Sequence, residues 1–269
     1  MFLKKFKIVY YVLPLFFIGI YGYLEYTTNF SLKELLRRSI FYVEYLIDFS
    51  DNAKFIDNYT VINSQKNADK RVFLFHGLDS DANYWKLPEH KGLVDKLKKE
   101  NVEIVILSLP YAKPGFFKTG LGRYCNDFSA WFKRIQNKLD NEEGIARLEI
   151  AFGESWGGFH SLIAASRGNV KYYLAVFPVV DVSALSEFWM VSSGDCNPII
   201  SAGDLGNAKG YIAYGSEDNR VDFRKAVQLI SKLKGENSGL NLVTEKFIGA
   251  DHGGGDPSYQ ASVNWILSQ

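Results

Sequence analysis

Cysteine is nearly missing from this sequence: Cys125 and Cys196 are the only two in 269 residues. That is too few for a disulfide-built fold, and without C-x-x-C spacing neither belongs to a zinc or dithiol redox motif. They are two free thiols or one bridge. Charge of one sign is missing as well, since 31 basic and 30 acidic residues leave a formal charge of +1. With no basic stripe, a nucleic-acid partner is not expected. Internal repeats and low-complexity tracts are absent too, which excludes solenoids and arrays. What remains is 47% hydrophobic and 23% charged, enough apolar material for one sizeable core.

Uncharged residues do run together at one place. Lys4, Lys5 and Lys7 precede a stretch from Ile8 to Leu24 without a charge, flanked and interspersed by Tyr10, Tyr11, Tyr21, Tyr23 and Tyr26. It is at the short end for a spanning helix, which needs roughly 20 apolar residues. The run is expected to be an uncleaved membrane anchor, because bulky Tyr21, Tyr23 and Leu24 leave no small-x-small cleavage site; a cleaved signal is the alternative. Bases lie before the run and none follows in Glu25 to Leu32, so the positive-inside rule puts everything after Tyr26 on the non-cytoplasmic side. Residues 1–26 are thus read as anchor or signal, 27–64 as an amphipathic helix and first strand, and 65–269 as the main domain. Ser31-Leu32-Lys33-Glu34 is a capping box for that helix, which runs to about Asp48.

From Lys70 onward, apolar strand-like runs alternate with helical periodicity. Strands are expected at Tyr59 to Ile62, Arg71 to Phe75, Val102 to Leu107, Leu148 to Phe152, Lys171 to Val180, Tyr211 to Tyr214 and Leu240 to Ile248, with helices between most of them. Such alternation implies an α/β fold with a mainly parallel sheet covered on both faces. Two stretches, Tyr111 to Asn126 and Asp181 to Lys209, are expected as long loops at the C-terminal edge of the sheet, acting as walls or a short lid.

Between the strand at Leu148 and the next helical run stands Gly153-Glu154-Ser155-Trp156-Gly157-Gly158. A serine at the apex of a sharp strand-to-helix turn has its Oγ exposed, and the flanking glycines remove Cβ atoms that would clash. The following helix aims its N-terminus at that serine, so the Trp156 N–H can donate to a developing oxyanion. A serine hydroxyl needs a base, and the base needs an acceptor to fix its tautomer. Of four histidines, His252 lies in a glycine-rich loop after the last strand. His76 is better suited to shaping the loop before Gly77, and His90 and His160 are expected to be structural or solvated. Asp218, where the loop leaves the preceding strand, is the expected acid; Glu217, Asp222 and Asp181 are its rivals.

The order Ser155, Asp218, His252 resembles that of the α/β-hydrolase superfamily. The resemblance covers Lys70 to Gln269 and includes His76-Gly77 after a strand, Gly153-x-Ser155-x-Gly157, Asp218 followed by Val221, and Gly249-x-x-His252. It implies Ser155 as nucleophile, His252 as general base and Asp218 as its orienter, with the Leu78 N–H joining that of Trp156 in the oxyanion hole. Leu78-Asp79 after His76-Gly77 departs from the HGGG pattern of one lipase and esterase subgroup. The activity implied is hydrolysis of a carboxylic ester on a small-molecule or acylated substrate, with no metal or cofactor. An acyltransferase or peptidase using the same residues, or a membrane-tethered binding protein with an inert elbow, are the alternatives.

Overall fold

In the computed structural model, described residues are 55–63, 68–78, 80–110, 120–143, 147–185, 188, 191, 194, 196–236, 241–253 and 255–269. The expected anchor at Ile8 to Leu24 and the expected helix beginning at Ser31 lie outside them. Among the described residues no helix is long and apolar enough to cross a membrane.

Among the described residues, seven strands form one sheet: β1 (Tyr59–Ile62), β2 (Lys70–Phe75), β3 (Val102–Leu107), β4 (Leu148–Glu154), β5 (Tyr172–Val176), β6 (Lys209–Gly215) and β7 (Leu242–Phe247). Their spatial order is β1-β3-β2-β4-β5-β6-β7. Six run parallel, and only β1 is antiparallel, pairing Tyr59 with Leu107. The helices are α1 (Lys91–Leu97), α2 (Leu121–Glu143), α3 (Trp156–Ser166), α4 (Phe223–Glu236) and α5 (Gly255–Ser268).

Strand residues alternate between two cores because successive side chains leave a strand on opposite faces. Phe73, Phe75, Val105, Leu107 and Ala151 pack with Phe128 and Phe132 of α2, Phe159 and Leu162 of α3, and Leu229 and Leu233 of α4. Val72, Leu74, Ile104, Ile106, Ile150 and Phe152 pack with Leu93 and Leu97 of α1 and with Tyr259 and Ile266 of α5. Burial on both faces explains why β3 reads as an unbroken apolar run apart from Glu103, and why all six of its residues are buried.

Glu103 belongs to a charged cluster at the N-terminal edge of the sheet. Arg71 is fully buried and pairs with Glu103, with Asp140 at 2.6 Å and with Glu149 at 3.3 Å, while Arg147 reaches Glu103 at 3.3 Å. Strand register brings these groups together: Arg71 lies opposite both Glu103 and Glu149. Two guanidinium groups thus face three carboxylates. Burial, followed by the charge of Asp140, pushes the Glu149 carboxyl up to about 7.

Several sequence expectations shift. The stretch from Tyr111 to Asn126 is not loop throughout, because α2 begins at Leu121 and buries Leu121, Tyr124 and Cys125 against the core. The strand expected to reach Val180 stops at Val176, since Phe177 adopts φ 48°, outside the extended region. The last strand is shorter at both ends than Leu240 to Ile248. Cys125 and Cys196 form a bridge with Cα atoms 6.3 Å apart, joining α2 to the segment after β5.

Candidate active site

Ser155 occupies the turn between β4 and α3 with φ 58° and ψ −117°. A left-handed φ at a non-glycine residue is strained, of order 1–3 kcal/mol. The local sequence permits the turn by subtraction. A Cβ on Gly153 would fall on the Gly157 carbonyl, and one on Gly157 would fall on the Phe75 carbonyl. Backbone bonds then fix the apex: the Ser155 N–H donates to the Val176 carbonyl at 2.9 Å, and the Ser155 carbonyl accepts from Phe159 N at 3.2 Å and Val179 N at 3.1 Å. Trp156 is the first residue of α3 and is buried, so its backbone N–H lies in the first turn of that helix, directly after the serine.

His252 stands in the turn after β7, between Gly249 at φ 75° and Gly253 at φ 112°. The turn is tied to the loop after β6 through Glu217 N–H to the Ala250 carbonyl at 3.0 Å and Gly249 N–H to Ser216 Oγ at 2.9 Å. These ties bring Asp218 and His252 together. His252 Nδ1 is 2.9 Å from Asp218 Oδ2, and His252 Nε2 is 2.8 Å from Ser155 Oγ. Asp218 is 4% exposed, and its other oxygen accepts the N–H groups of Arg220 at 3.0 Å and Val221 at 2.8 Å. With the acid accepting at Nδ1, the imidazole carries its proton there and presents a lone pair to the serine.

The rival acids are committed elsewhere. Asp181 accepts from the Ser183 hydroxyl at 2.6 Å and the Asn197 amide at 2.9 Å and pairs with Lys225 at 3.0 Å. Asp222 pairs with Arg224 at 2.8 Å, and Glu217 is exposed.

The other histidines are all bonded. His76 accepts the Leu109 N–H at Nε2, 2.9 Å, and donates from Nδ1 to the Gly77 carbonyl, 2.8 Å, so it braces the Gly77 turn; burial holds its pKa below the ordinary value. His160 is fully buried against Tyr124 Oη at 2.9 Å and the Trp156 carbonyl at 2.9 Å, with its pKa pushed down to about 3 by burial. It is a core residue, not a solvated one. His90, in a stretch that reads as surface, is half-buried with Nδ1 2.6 Å from Tyr259 Oη.

A cavity of about 170 Å³ opens over Ser155 and His252, lined also by Gly77, Leu78, Tyr84, Val179, Leu185, Arg220 and Val221. Leu78 and Ser155 thus share one chamber. The sequence reading did not single out Tyr84 or Arg220. Arg220 was within sight, since it lies two residues after Asp218, whereas Tyr84 enters through the 3-10 turn Ala82–Lys86 that no periodicity signals.

No known family profile matches the sequence, and no curated protein is similar to it in sequence. Similarity lies in structure. A protein of Thermus thermophilus superposes with TM-score 0.63 at 14% identity, over 81% of this chain and 95% of that one. A truncated carbohydrate esterase from gut microbiota gives 0.61 at 14%, over 81% and 94%. This is the α/β-hydrolase fold. Dipeptidyl peptidase 4 of Porphyromonas gingivalis carries it too, at TM-score 0.60 and 16% identity, over 81% of this chain and 35% of that protein. The α/β-hydrolase fold places ligands at the C-terminal edge of the sheet, where the turns bearing Ser155, Asp218 and His252 all lie.

Proposed function

We propose that this protein is a serine hydrolase that cleaves a carboxylic ester through an acyl-enzyme. The observation that carries the reading is the unbroken line of contacts from Asp218 through His252 to Ser155, 2.9 and 2.8 Å long. Ser155 Oγ attacks the ester carbonyl carbon as His252 Nε2 takes its proton, and the electron pair moves to the carbonyl oxygen. Donors for that oxyanion are the N–H groups of Leu78 and Trp156. His252 then protonates the leaving alcohol, and a water activated by the same nitrogen releases the acid and restores Ser155. Every proton and charge in the sequence has a named group, so no step calls for a metal or cofactor.

An inert elbow is a poor description of a strained serine held against an oriented histidine, because each deviation from relaxed geometry has to be offset by surrounding contacts. The carbohydrate esterase with the same fold fits ester chemistry. The charge pattern around Ile8 to Leu24 supports a catalytic domain held outside the cytoplasm by that segment. Purified full-length protein, given a panel of short and long acyl esters and a fluorophosphonate probe, tests the function. Hydrolysis and labelling that both vanish in Ser155→Ala, a loss on the order of a millionfold in turnover, support it; unchanged turnover in the variant rejects it. Adding alcohol acceptors to the assay separates hydrolysis from acyl transfer.

A further inference from the structure

Among the described residues, three positions other than glycine have a positive φ: Asn63, Ser155 and Phe177. Asn63 follows β1, where its side-chain amide donates to the carbonyls of Glu100 at 3.1 Å and Val102 at 3.0 Å, and asparagine tolerates the left-handed region. Phenylalanine does not, so surrounding contacts must hold Phe177 at φ 48°. Its N–H donates to the Ala213 carbonyl of β6 at 2.8 Å, and the carbonyl just before it, that of Val176, accepts the Ser155 N–H at 2.9 Å. One peptide unit thus ties the second strained residue to the first.

The strained backbone places a ring. Phe177 is 1% exposed, and its ring lies 6.2 Å from that of Phe247 at 23° and 6.2 Å from the His252 imidazole at 80°. That last contact is edge to face, at a separation where aromatic pairs attract. Gly215 makes the arrangement possible, because a Cβ there would stand 2.7 Å from the Phe177 ring and would also fall on the Ala250 carbonyl. Ring and His252 turn therefore rest together on bare backbone. In the free enzyme the imidazole is fixed at both ends, by Asp218 at Nδ1 and by the Ser155 hydroxyl at Nε2. Acylation of Ser155 removes that hydroxyl and with it the second bond. The imidazole, whose side chain is 24% exposed, is then left with Asp218 and the Phe177 ring. Resting on the hydrolase reading above, we propose that Phe177 is a positioning residue that holds the His252 imidazole in place while the acyl-enzyme is hydrolysed. In that step a water oxygen attacks the acyl carbon as His252 Nε2 takes the water proton. The bond from the acyl carbon to Ser155 Oγ then breaks, and the proton passes from Nε2 to Oγ.

Full-length wild type, Phe177→Leu, Phe177→Met, Phe177→Tyr and Leu93→Ala test the assignment. Stopped-flow release of p-nitrophenol from p-nitrophenyl acetate gives the acylation rate constant, and decay of the acetyl-enzyme by intact mass gives the deacylation rate constant. Phe177→Leu and Phe177→Met keep bulk and lose the ring. They should slow deacylation by about 3- to 10-fold, within the roughly 2- to 13-fold that one aromatic pair is worth, and slow acylation by less than about half of that factor. Phe177→Tyr keeps the ring and should restore the wild-type ratio of the two constants. Leu93→Ala, in the core on the same face of the sheet, should lower thermal stability without moving that ratio. Equal slowing of both steps, slowing of neither, a ratio shifted as far by Leu93→Ala, or one that Phe177→Tyr does not restore overturns the proposal. If Phe177→Leu does not fold, Phe177→Met decides by the same ratio; if neither folds, Phe177 serves the fold alone and the proposal is overturned. A wild type that releases no p-nitrophenol and takes no fluorophosphonate label overturns the hydrolase reading and this proposal with it, whereas an active wild type with an unshifted ratio in the variants overturns the proposal only.

Discussion

Replacing Asp218 by Asn puts the site's hydrogen-bond logic to a sharp test, because the structure dictates which way the amide must face. Asp218 Oδ1 accepts two backbone N–H groups, a half-buried one from Arg220 and a buried one from Val221. An asparagine has one acceptor oxygen, and leaving those two donors unpaired costs about 1–3 kcal/mol each. The amide oxygen therefore takes that position, and the NH₂ turns to His252 Nδ1. Two donors then face each other, so Nδ1 gives up its proton to Nε2, the nitrogen 2.8 Å from Ser155 Oγ. The base is blocked. Flipping the amide restores the tautomer at a cost of about 2–6 kcal/mol, which at 1.36 kcal/mol per tenfold suppresses the competent form by about 30-fold to more than 10⁴-fold. Turnover should fall by about 10³- to 10⁴-fold, in the range of other triads, with fluorophosphonate labelling slowed in parallel and near-UV circular dichroism unchanged. Asp181→Asn, whose carboxylate serves Ser183, Asn197 and Lys225, should stay within about threefold of wild type, as groups outside the site do. A loss below tenfold in Asp218→Asn, or losses reversed between the two variants, refutes the assignment.

Glu149 has its pKa raised from 4.5 to about 7, so the folded state holds a proton that the unfolded state has released between those values, and stability falls as pH rises from about 4.5 to about 7 and is flat above. Glu149→Gln should abolish that slope and add at most about 3 kcal/mol at pH 8, read by urea denaturation at pH 5 and pH 8; a slope that survives the substitution rejects the linkage. The Cys125–Cys196 bridge spans 71 positions, so its loss in Cys125→Ala/Cys196→Ala should cost about 4 kcal/mol by loop-closure entropy, and equal melting temperatures with and without reductant in the wild type would exclude it. An alkaline phosphatase fused after Gln269 should be active if the domain is exported, whereas signal from a cytosolic reporter at the same position rejects that topology.

The fold was legible wherever a single segment carries its own geometry. In β3 the run Val102 to Leu107 is buried on both faces, so apolarity interrupted only by Glu103 marked the strand to the residue. The elbow was legible for a steric reason, since Gly153 and Gly157 each occupy a place where a Cβ would overlap a carbonyl. Asp218 and His252 stood out because each sits just past a strand, on the edge where open α/β sheets bind ligands. Boundaries went astray where tertiary contact overrides local signals. Gly120 and Gly122 read as loop, yet α2 starts at Leu121 because Leu121, Tyr124 and Cys125 find a core to enter and Cys125 a partner in Cys196. The strand at Tyr172 ends early for the opposite reason: the apolar run continues through Val180, but Phe177 at φ 48° turns the chain over the site, with its ring 6.2 Å from His252.

Side chains that meet across elements left no such trace. Tyr84, His90, Glu154 and Tyr259 converge from a 3-10 turn, a loop, a strand end and a helix, and no spacing connects them. Taken alone, Tyr84 is one aromatic in a stretch that reads as irregular, and Glu154 fills a position that the elbow leaves open to any side chain. Only the parallel register of β2 with β4, which aligns Phe75 with Gly153, brings the turn after one strand beside the turn after the other. The same register sets Arg71 against Glu149 at the far end of those two strands. Both polar clusters are thus products of sheet pairing, one at each edge, and they differ in what lies next to them. At the N-terminal edge the unbalanced charge can act on stability alone, because no reacting group is near. At the C-terminal edge the Glu154 carboxylate sits one residue from Ser155 and accepts the Tyr259 hydroxyl, so a change there bears on the turn that carries the serine. That difference is why Glu149→Gln should move the denaturation curve and leave kcat unchanged.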